Sequence, residues 1–116
     1  MVVKGIEAWN FAFERAGFKN AVVAKIQPDD ADWDAGDIRY NVVRWSNSPE
    51  PAFSGYGPSI ANPRTGELIA ADIVQEFNAI KRGYTYRKLW GWSKESDPLE
   101  QWIVSLTMHE VGHTIG

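Results

Sequence analysis

The sequence predicts one α+β domain, in which a helix, four or five strands of a twisted mixed sheet and a second helix follow one another along the chain. Three observations predict this class. Apolar residues recur at spacings of three and four near both ends of the chain, short β-rich runs occupy the middle, and a turn rich in Asn, Pro and Gly separates two of those runs. With 116 residues the chain is long enough to bury a modest core.

The first helix is predicted over residues 5–16. Its apolar face consists of Ile6, Trp9 and Phe13. Gly17 is expected to end the helix, because glycine readily adopts the left-handed conformation that often follows a last helical turn. The short apolar run at residues 21–26 is predicted to be a buried strand.

Three further strands are predicted in the middle of the chain. Residues 38–45 alternate polar with apolar side chains, as a half-buried strand does. Residues 56–61 and 67–74 are two short β-rich runs, and the turn residues at positions 62–66 predict that these runs pair as a hairpin.

The stretch after the hairpin gives a mixed pattern, which we interpret as a helix from Phe77 to Lys81 followed by a loop through Gly91. Tryptophans in predicted loops are the ones that could contact a ligand; these are Trp33, Trp90 and Trp92. Trp9 and Trp102 lie on predicted core faces and are expected to be structural.

The last helix is predicted to begin at Asp97 and to end at Gly116. Asp97 suits the N-cap, Pro98 suits the first turn and Glu100 completes a capping box. Beyond Glu100, the only carboxylate is Glu110, and no lysine or arginine follows. The helix is therefore apolar nearly all round and is expected to be buried. An acid and two histidines on a buried helix need partners, which a metal ion would supply.

Residues 109–113 read His-Glu-Val-Gly-His, which matches the H-E-x-x-H zinc signature. Side chains four residues apart leave the same face of a helix about one turn from each other, so His109 and His113 can ligate one Zn²⁺ ion. Glu110 can act as general base toward the attacking water. A catalytic zinc needs three protein ligands, and the chain has two histidines in total, so one ligand is missing or of another kind. The alternative is a helix that carries two histidines with ordinary structural partners.

Gly116 extends the motif to H-E-x-x-H-x-x-G, which resembles the signature of the metzincin zinc metalloproteases. In that family the glycine permits a sharp bend and a third histidine three residues later completes the site; here that position would lie beyond Gly116. The resemblance implies that residues 1–116 are the upper, N-terminal part of a metalloprotease catalytic domain and that both ends continue in a longer protein. A thermolysin-like site would instead need a downstream glutamate ligand.

A looser likeness covers most of the chain. Four segments together resemble a bacterial branch of the metzincins, namely residues 5–9, 13–18, 38–45 and 62–67. In that branch the catalytic domain belongs to a larger secreted or cell-envelope protein. The resemblance implies a zinc-dependent endopeptidase whose partner is a peptide or protein substrate, with the chain in a metzincin-like upper subdomain.

In metzincins the substrate lies extended along an antiparallel edge strand above the zinc helix. The strand in the corresponding place here supplies the candidate substrate-binding residues, which are Gly57, Ser59, Ile60 and Ala61. Pro58 suits an edge because it has no N–H for a central ladder, and Gly57 allows another backbone to approach closely. The alternative is an ordinary edge strand, in which the proline only prevents aggregation.

Composition excludes some classes of protein. The net charge of −3 argues against a nucleic-acid surface, and the sequence contains no run of about 18 apolar residues that could span a membrane. The absence of cysteine excludes disulfides and thiolate zinc ligands. Two alternatives to an active enzyme stay open: a folded but catalytically inactive fragment, and an aromatic-rich binding module without metal.

An acidic stretch at residues 29–37 contains five aspartates and resembles the start of a calcium-binding loop. It departs from that pattern at Ala35 and Asn41, which stand where such a loop requires glycine and glutamate. A solvated acidic loop is the alternative.

Overall fold

The computed structural model describes residues 1–91 and 98–116 and has an α+β fold, which confirms the predicted class. The helices in these ranges are α1 (Val2–Glu7), α2 (Asn10–Arg15), α3 (Phe77–Trp90) and α4 (Leu99–Ile115). The strands are β1 (Val42–Ser46), β2 (Gly55–Tyr56), β3 (Ser59–Ala61) and β4 (Leu68–Glu76). None of the helices in the described part of the chain is long and apolar enough to cross a membrane.

The four strands form one mixed sheet around β4. On one side β1 pairs with β4 in parallel, with Val43 opposite Ile73. On the other side β2 and β3 both pair antiparallel with β4, so they are two parts of a single edge that is interrupted at Gly57 and Pro58. The predicted strand 56–61 therefore forms, but as two short pieces.

The predicted hairpin between residues 56–61 and 67–74 is confirmed as the β3–β4 pair. Gly66, with φ of 76°, closes the turn, and its N–H donates to the carbonyl of Asn62 at 2.8 Å. The Asn62 side chain accepts a hydrogen bond from the N–H of Arg64 at 3.0 Å. The side chain of asparagine and the backbone freedom of glycine thus fix this turn locally.

The predicted buried strand at residues 21–26 is wrong. These residues pair with no strand of the described ranges, and Ile26 is 87 % exposed. Side chains of the first helices satisfy part of their backbone instead: Asn10 bonds the N–H and C=O of Val22 at 3.0 and 2.7 Å, and Glu7 accepts from the N–H of Ala24. An apolar run alone does not specify a strand when side chains compete for its backbone.

The N-terminal helix begins earlier than predicted and is bent. Ala8 and Trp9, which lie between α1 and α2, both keep right-handed helical backbone angles, so α1 and α2 form one bent helix. The phenylalanine of its predicted apolar face, Phe13, is half-buried. Gly17 follows with φ of 93°, as expected of a helix stop.

The predicted helix end at Lys81 is wrong, because α3 continues to Trp90 and stops at Gly91, whose φ is 64°. The added part contacts α4 at Gly83, where an added Cβ atom would lie 3.0 Å from Cδ1 of Leu99, and Leu99 is buried in a cluster with Ile80 and Ile103. Trp90 is consequently a helical residue. Trp92 and the predicted N-cap Asp97 lie outside the described residues.

The bent N-terminal helix packs against α4 at very short range. A Cβ atom added to Gly5 would lie 2.5 Å from Cβ of Thr107 and 2.8 Å from the carbonyl oxygen of Val104. Lys4 also forms an ion pair with Glu100 at 2.9 Å, and the pair is exposed. The close approach of the two helices thus depends on the missing side chain at Gly5 more than on the surface charges.

Gly5→Ala is expected to destabilise the chain by about 1–3 kcal/mol, because the new methyl group overpacks a contact that includes backbone. Alanine would otherwise favour a helix by up to about 1 kcal/mol, so the expected sign is the reverse of the usual one. Gly83→Ala is the matched control, since the nearest atom to its added Cβ is the flexible end of Leu99 at 3.0 Å. Urea unfolding of both variants checks this; equal stability of the two would contradict the packing.

Candidate functional site

Helix α4 carries the H-E-x-x-H motif near its C-terminal end and is buried along one face only. The buried residues of α4 are Leu99, Ile103, Thr107, Glu110 and Val111. The prediction of burial all round is wrong, since Met108 is 40 % exposed, and Trp102, at 37 % exposed, is not in the core. The sheet, the bent N-terminal helix and α3 each cover part of α4, and its remaining, open side carries exposed residues such as Ser105 and Met108.

The two motif histidines lie on this open side and face each other. Nε2 of His109 and Nε2 of His113 are 3.2 Å apart, and the ring planes meet at 85° with centroids 4.9 Å apart. Both side chains are exposed. The predicted convergence of the two imidazoles is therefore present in the structure.

This spacing fits a shared metal ion. Two nitrogens that bind the same Zn²⁺ ion at about 2.0–2.1 Å, with a tetrahedral angle between the two bonds, are about 3.3 Å apart. The observed separation of 3.2 Å between the two Nε2 atoms is close to that value. Without metal, the same distance also suits a hydrogen bond between two neutral imidazoles, one as donor and the other as acceptor.

Glu110 points away from solvent, toward the antiparallel edge of the sheet. It is 6 % exposed, and no hydrogen bond reaches its side chain within the described ranges. A Cβ atom added to Gly55 would lie 2.7 Å from Oε1 of Glu110, and one added to Gly57 would lie 3.1 Å from Oε2. The carboxylate thus packs directly against bare backbone of the edge strand.

Of the predicted substrate-binding residues, the structure places Gly57 against the motif helix. Gly57 contacts Glu110, and Ser59, Ile60 and Ala61 of β3 continue the same edge with exposed side chains. The N–H of Asp72 donates to the carbonyl of Pro58 at 3.1 Å, and Ser59 lies opposite Ala71.

This register decides which backbone groups of β3 face outward. In an antiparallel ladder, hydrogen-bonded and non-hydrogen-bonded pairs alternate. The bond from Asp72 to Pro58 makes Ser59 a non-hydrogen-bonded residue, so its N–H and C=O are directed away from β4. The N–H of Ile60 is by the same alternation directed toward β4. A peptide strand added at this edge would therefore pair with Ser59.

Trp9 fixes the other side of the motif. Its indole Nε1 donates to the carbonyl of Met108 at 2.8 Å, and its ring passes 3.0 Å from where a Cβ of Gly112 would be. The predicted structural role of Trp9 follows from these contacts. Gly112, which lies between His109 and His113 in the sequence, has no side chain and so lets the indole ring pack directly on α4.

A buried polar pair that the sequence analysis did not single out joins β4 to α4. Gln75 and Thr107 are both fully buried, and Nε2 of Gln75 donates to Oγ1 of Thr107 at 2.7 Å. Thr107 donates in turn to the carbonyl of Ile103, while Oε1 of Gln75 has no partner in the described residues. Gln75 follows directly after the predicted strand 67–74, and nothing in the sequence around it indicates a contact with α4.

The acidic stretch at residues 29–37 does not assemble a cluster of carboxylates. The N–H of Gly36 donates to Asp34, and the Arg39 guanidinium donates to Asp37 at 3.0 Å, which lowers the pKa of Asp37 to about 2. Trp33 stacks on Tyr40 with ring centroids 3.9 Å apart. Among the described residues no three His, Asp or Glu side chains converge as a metal site, at the acidic stretch or at the motif.

Comparison of the chain with protein-family models, with curated proteins and with solved structures finds no match. The metzincin likeness therefore rests on the motif and the segments of this sequence alone.

Thr107→Val is expected to destabilise the chain by about 1–3 kcal/mol, because it leaves both polar ends of the buried Gln75 amide without a partner. In the double variant Gln75→Leu/Thr107→Val the buried amide is gone, so most of the lost stability should return. Urea unfolding of the single and double variants measures this difference. A double variant no more stable than Thr107→Val would show that the Gln75–Thr107 hydrogen bond is not the source of the effect.

Proposed function

We propose that this chain is the upper part of a zinc-dependent endopeptidase catalytic domain of the metzincin type. One observation carries the proposal: two imidazole nitrogens stand 3.2 Å apart on the open side of α4, next to a glutamate that packs against an antiparallel edge strand. A pair of metal ligands, a general base and a surface for an extended peptide are the parts that such a peptidase needs.

In this proposal His109 and His113 hold the metal through their neutral Nε2 atoms. A bound Zn²⁺ supplies Lewis-acid polarisation of the scissile carbonyl and activation of water. The third protein ligand comes from outside residues 1–116, as the family pattern predicts. With only two ligands, these residues alone are expected to hold zinc weakly.

Glu110 is the proposed general base. Its carboxylate takes a proton from the attacking water and passes it to the nitrogen of the leaving amine. The contacts with Gly55 and Gly57 hold the side chain beside the strand where the peptide is proposed to lie. In this proposal the base is therefore already beside the peptide before the reaction begins. Such positioning is a large part of the rate enhancement that an active site provides.

The proposed substrate is a peptide in extended conformation, added to the sheet at β3. The outward N–H and C=O of Ser59 offer one ladder pair, which gives affinity without selecting particular side chains. Ile60 and Ala61 add exposed apolar surface beside it.

A binding module is the second candidate function, favoured by exposed aromatic residues between α3 and α4. A cavity of about 540 Å³ there is lined in part by Tyr86, Trp90 and Trp102, and Trp90 is 72 % exposed. A binding module would not need His109 and His113, so metal dependence separates the two functions.

In the longer protein that this proposal implies, one that includes the third ligand, Glu110→Gln is expected to keep zinc and lower peptide turnover by about 10²–10⁴-fold, because glutamine preserves size but cannot accept the proton of water. Glu100→Gln is the matched control, since Glu100 lies on the same helix but is exposed and pairs with Lys4. Cleavage of a quenched fluorescent peptide and metal analysis together check the outcome. Full activity of Glu110→Gln would remove Glu110 as the base.

Ser59→Pro tests the substrate strand. Because the N–H of Ser59 is directed away from β4, proline there removes an outward donor and leaves the β3–β4 ladder in place. We expect kcat/KM for peptides to fall about tenfold, in line with one lost backbone hydrogen bond, with zinc content unchanged. Ser59→Ala, which keeps the N–H, should behave as the parent. Unaltered peptide kinetics in folded Ser59→Pro would place the substrate elsewhere.

A further inference from the structure

Two glycines of the edge strand, Gly55 and Gly57, form a cradle around the side chain of Glu110. They are the residues before and after Tyr56, which is 54 % exposed. At both glycines the strand therefore turns backbone without a side chain toward α4. A Cβ atom at Gly55 would meet Oε1, Cδ and Cγ of Glu110 at 2.7, 3.1 and 3.1 Å. At Gly57 it would meet Oε2 at 3.1 Å and the backbone carbonyl oxygen of Glu110 at 3.2 Å.

We propose that Gly55 and Gly57 are positioning residues for the Glu110 carboxylate. Their missing side chains let the strand come close enough that its backbone, rather than a hydrogen-bonding partner, sets where the two carboxylate oxygens lie. The catalytic consequence of this proposal rests on the proposed function, in which Glu110 is the general base.

The two glycines act on different parts of Glu110. At Gly55 the new methyl group would meet only the side chain, which can rotate away at small cost in stability but then carries its oxygens to a new position. At Gly57 it would also meet the backbone of α4, which cannot move without shifting the helix. Gly55→Ala should therefore displace the carboxylate with little loss of stability, whereas Gly57→Ala should lower the unfolding temperature by about 4 °C or more.

A spectroscopic measurement tests the cradle without any need for activity. The 116-residue chain is labelled with ¹³C at the glutamate carboxyl carbon, and the Glu110 resonance is identified by its loss in Glu110→Gln. Gly55→Ala is expected to move that resonance by more than its linewidth, while Gly36→Ala, a glycine change near Asp34 only, should leave it in place. A Glu110 resonance that is the same in Gly55→Ala and in the parent would overturn the proposal.

A kinetic cycle in the longer protein that the proposed function implies tests the consequence for catalysis. Gly55→Ala should lower kcat at least about tenfold with KM and zinc content unchanged, since a displacement of about 1 Å at a reacting group can cost about 10²-fold. In the Glu110→Gln background the same change should cost less than about twofold, because the group it acts through is already gone. An equal loss in both backgrounds would indicate a general structural effect and overturn the positioning role.

The resonance measurement and the kinetic cycle together distinguish a failure of the positioning role from a failure of the proposed peptidase function. A shifted Glu110 resonance in the 116-residue chain, together with a longer protein that cleaves no peptide, would support the cradle and contradict the peptidase. An active parent in which Gly55→Ala leaves both resonance and kcat unchanged would support the peptidase and contradict the cradle.

Discussion

The close packing of α4 against its neighbours is the constraint on which the rest of the structure depends. On one side the bent N-terminal helix reaches α4 through Gly5 at Thr107 and through the ring of Trp9 at Gly112. On the other side the sheet reaches it through the Gln75–Thr107 hydrogen bond and the bare backbone around Glu110. Contacts this short require glycine or a matched polar pair, and each lies within a turn or so of the motif. The position of the motif is therefore set by packing at Thr107, Glu110 and Gly112.

This packing places the residues of the motif in two different environments. Glu110 faces the sheet and is 6 % exposed, whereas the two histidines face outward on the open side of the helix. In our proposal Glu110 is a base held by the fold, and His109 and His113 are accessible ligands of a site that a further part of the protein completes. In our proposal that part supplies the third ligand and the far wall of the substrate cleft.

The sequence predicted the elements whose signal is local and missed those that depend on tertiary contacts. The hairpin, the motif helix and the convergence of His109 with His113 follow from turn residues and helical spacing, and the structure has all three. The extra length of α3 accompanies a tertiary contact of Gly83 with Leu99 of α4, which no local pattern indicates. Residues 21–26 form side-chain hydrogen bonds with the first helices in place of the predicted strand. The glycine contacts with Glu110 could not be predicted, because a glycine in a predicted strand does not reveal which helix approaches it.

The central claim is that His109 and His113 together hold a metal ion. A calorimetric zinc titration of the 116-residue chain, of His109→Ala, of His113→Ala and of Glu110→Gln tests this claim most directly. We predict one weak site in the parent, the same site in Glu110→Gln, and its loss in each histidine variant. A parent that binds no zinc, or zinc binding that survives the removal of both histidines, would contradict it.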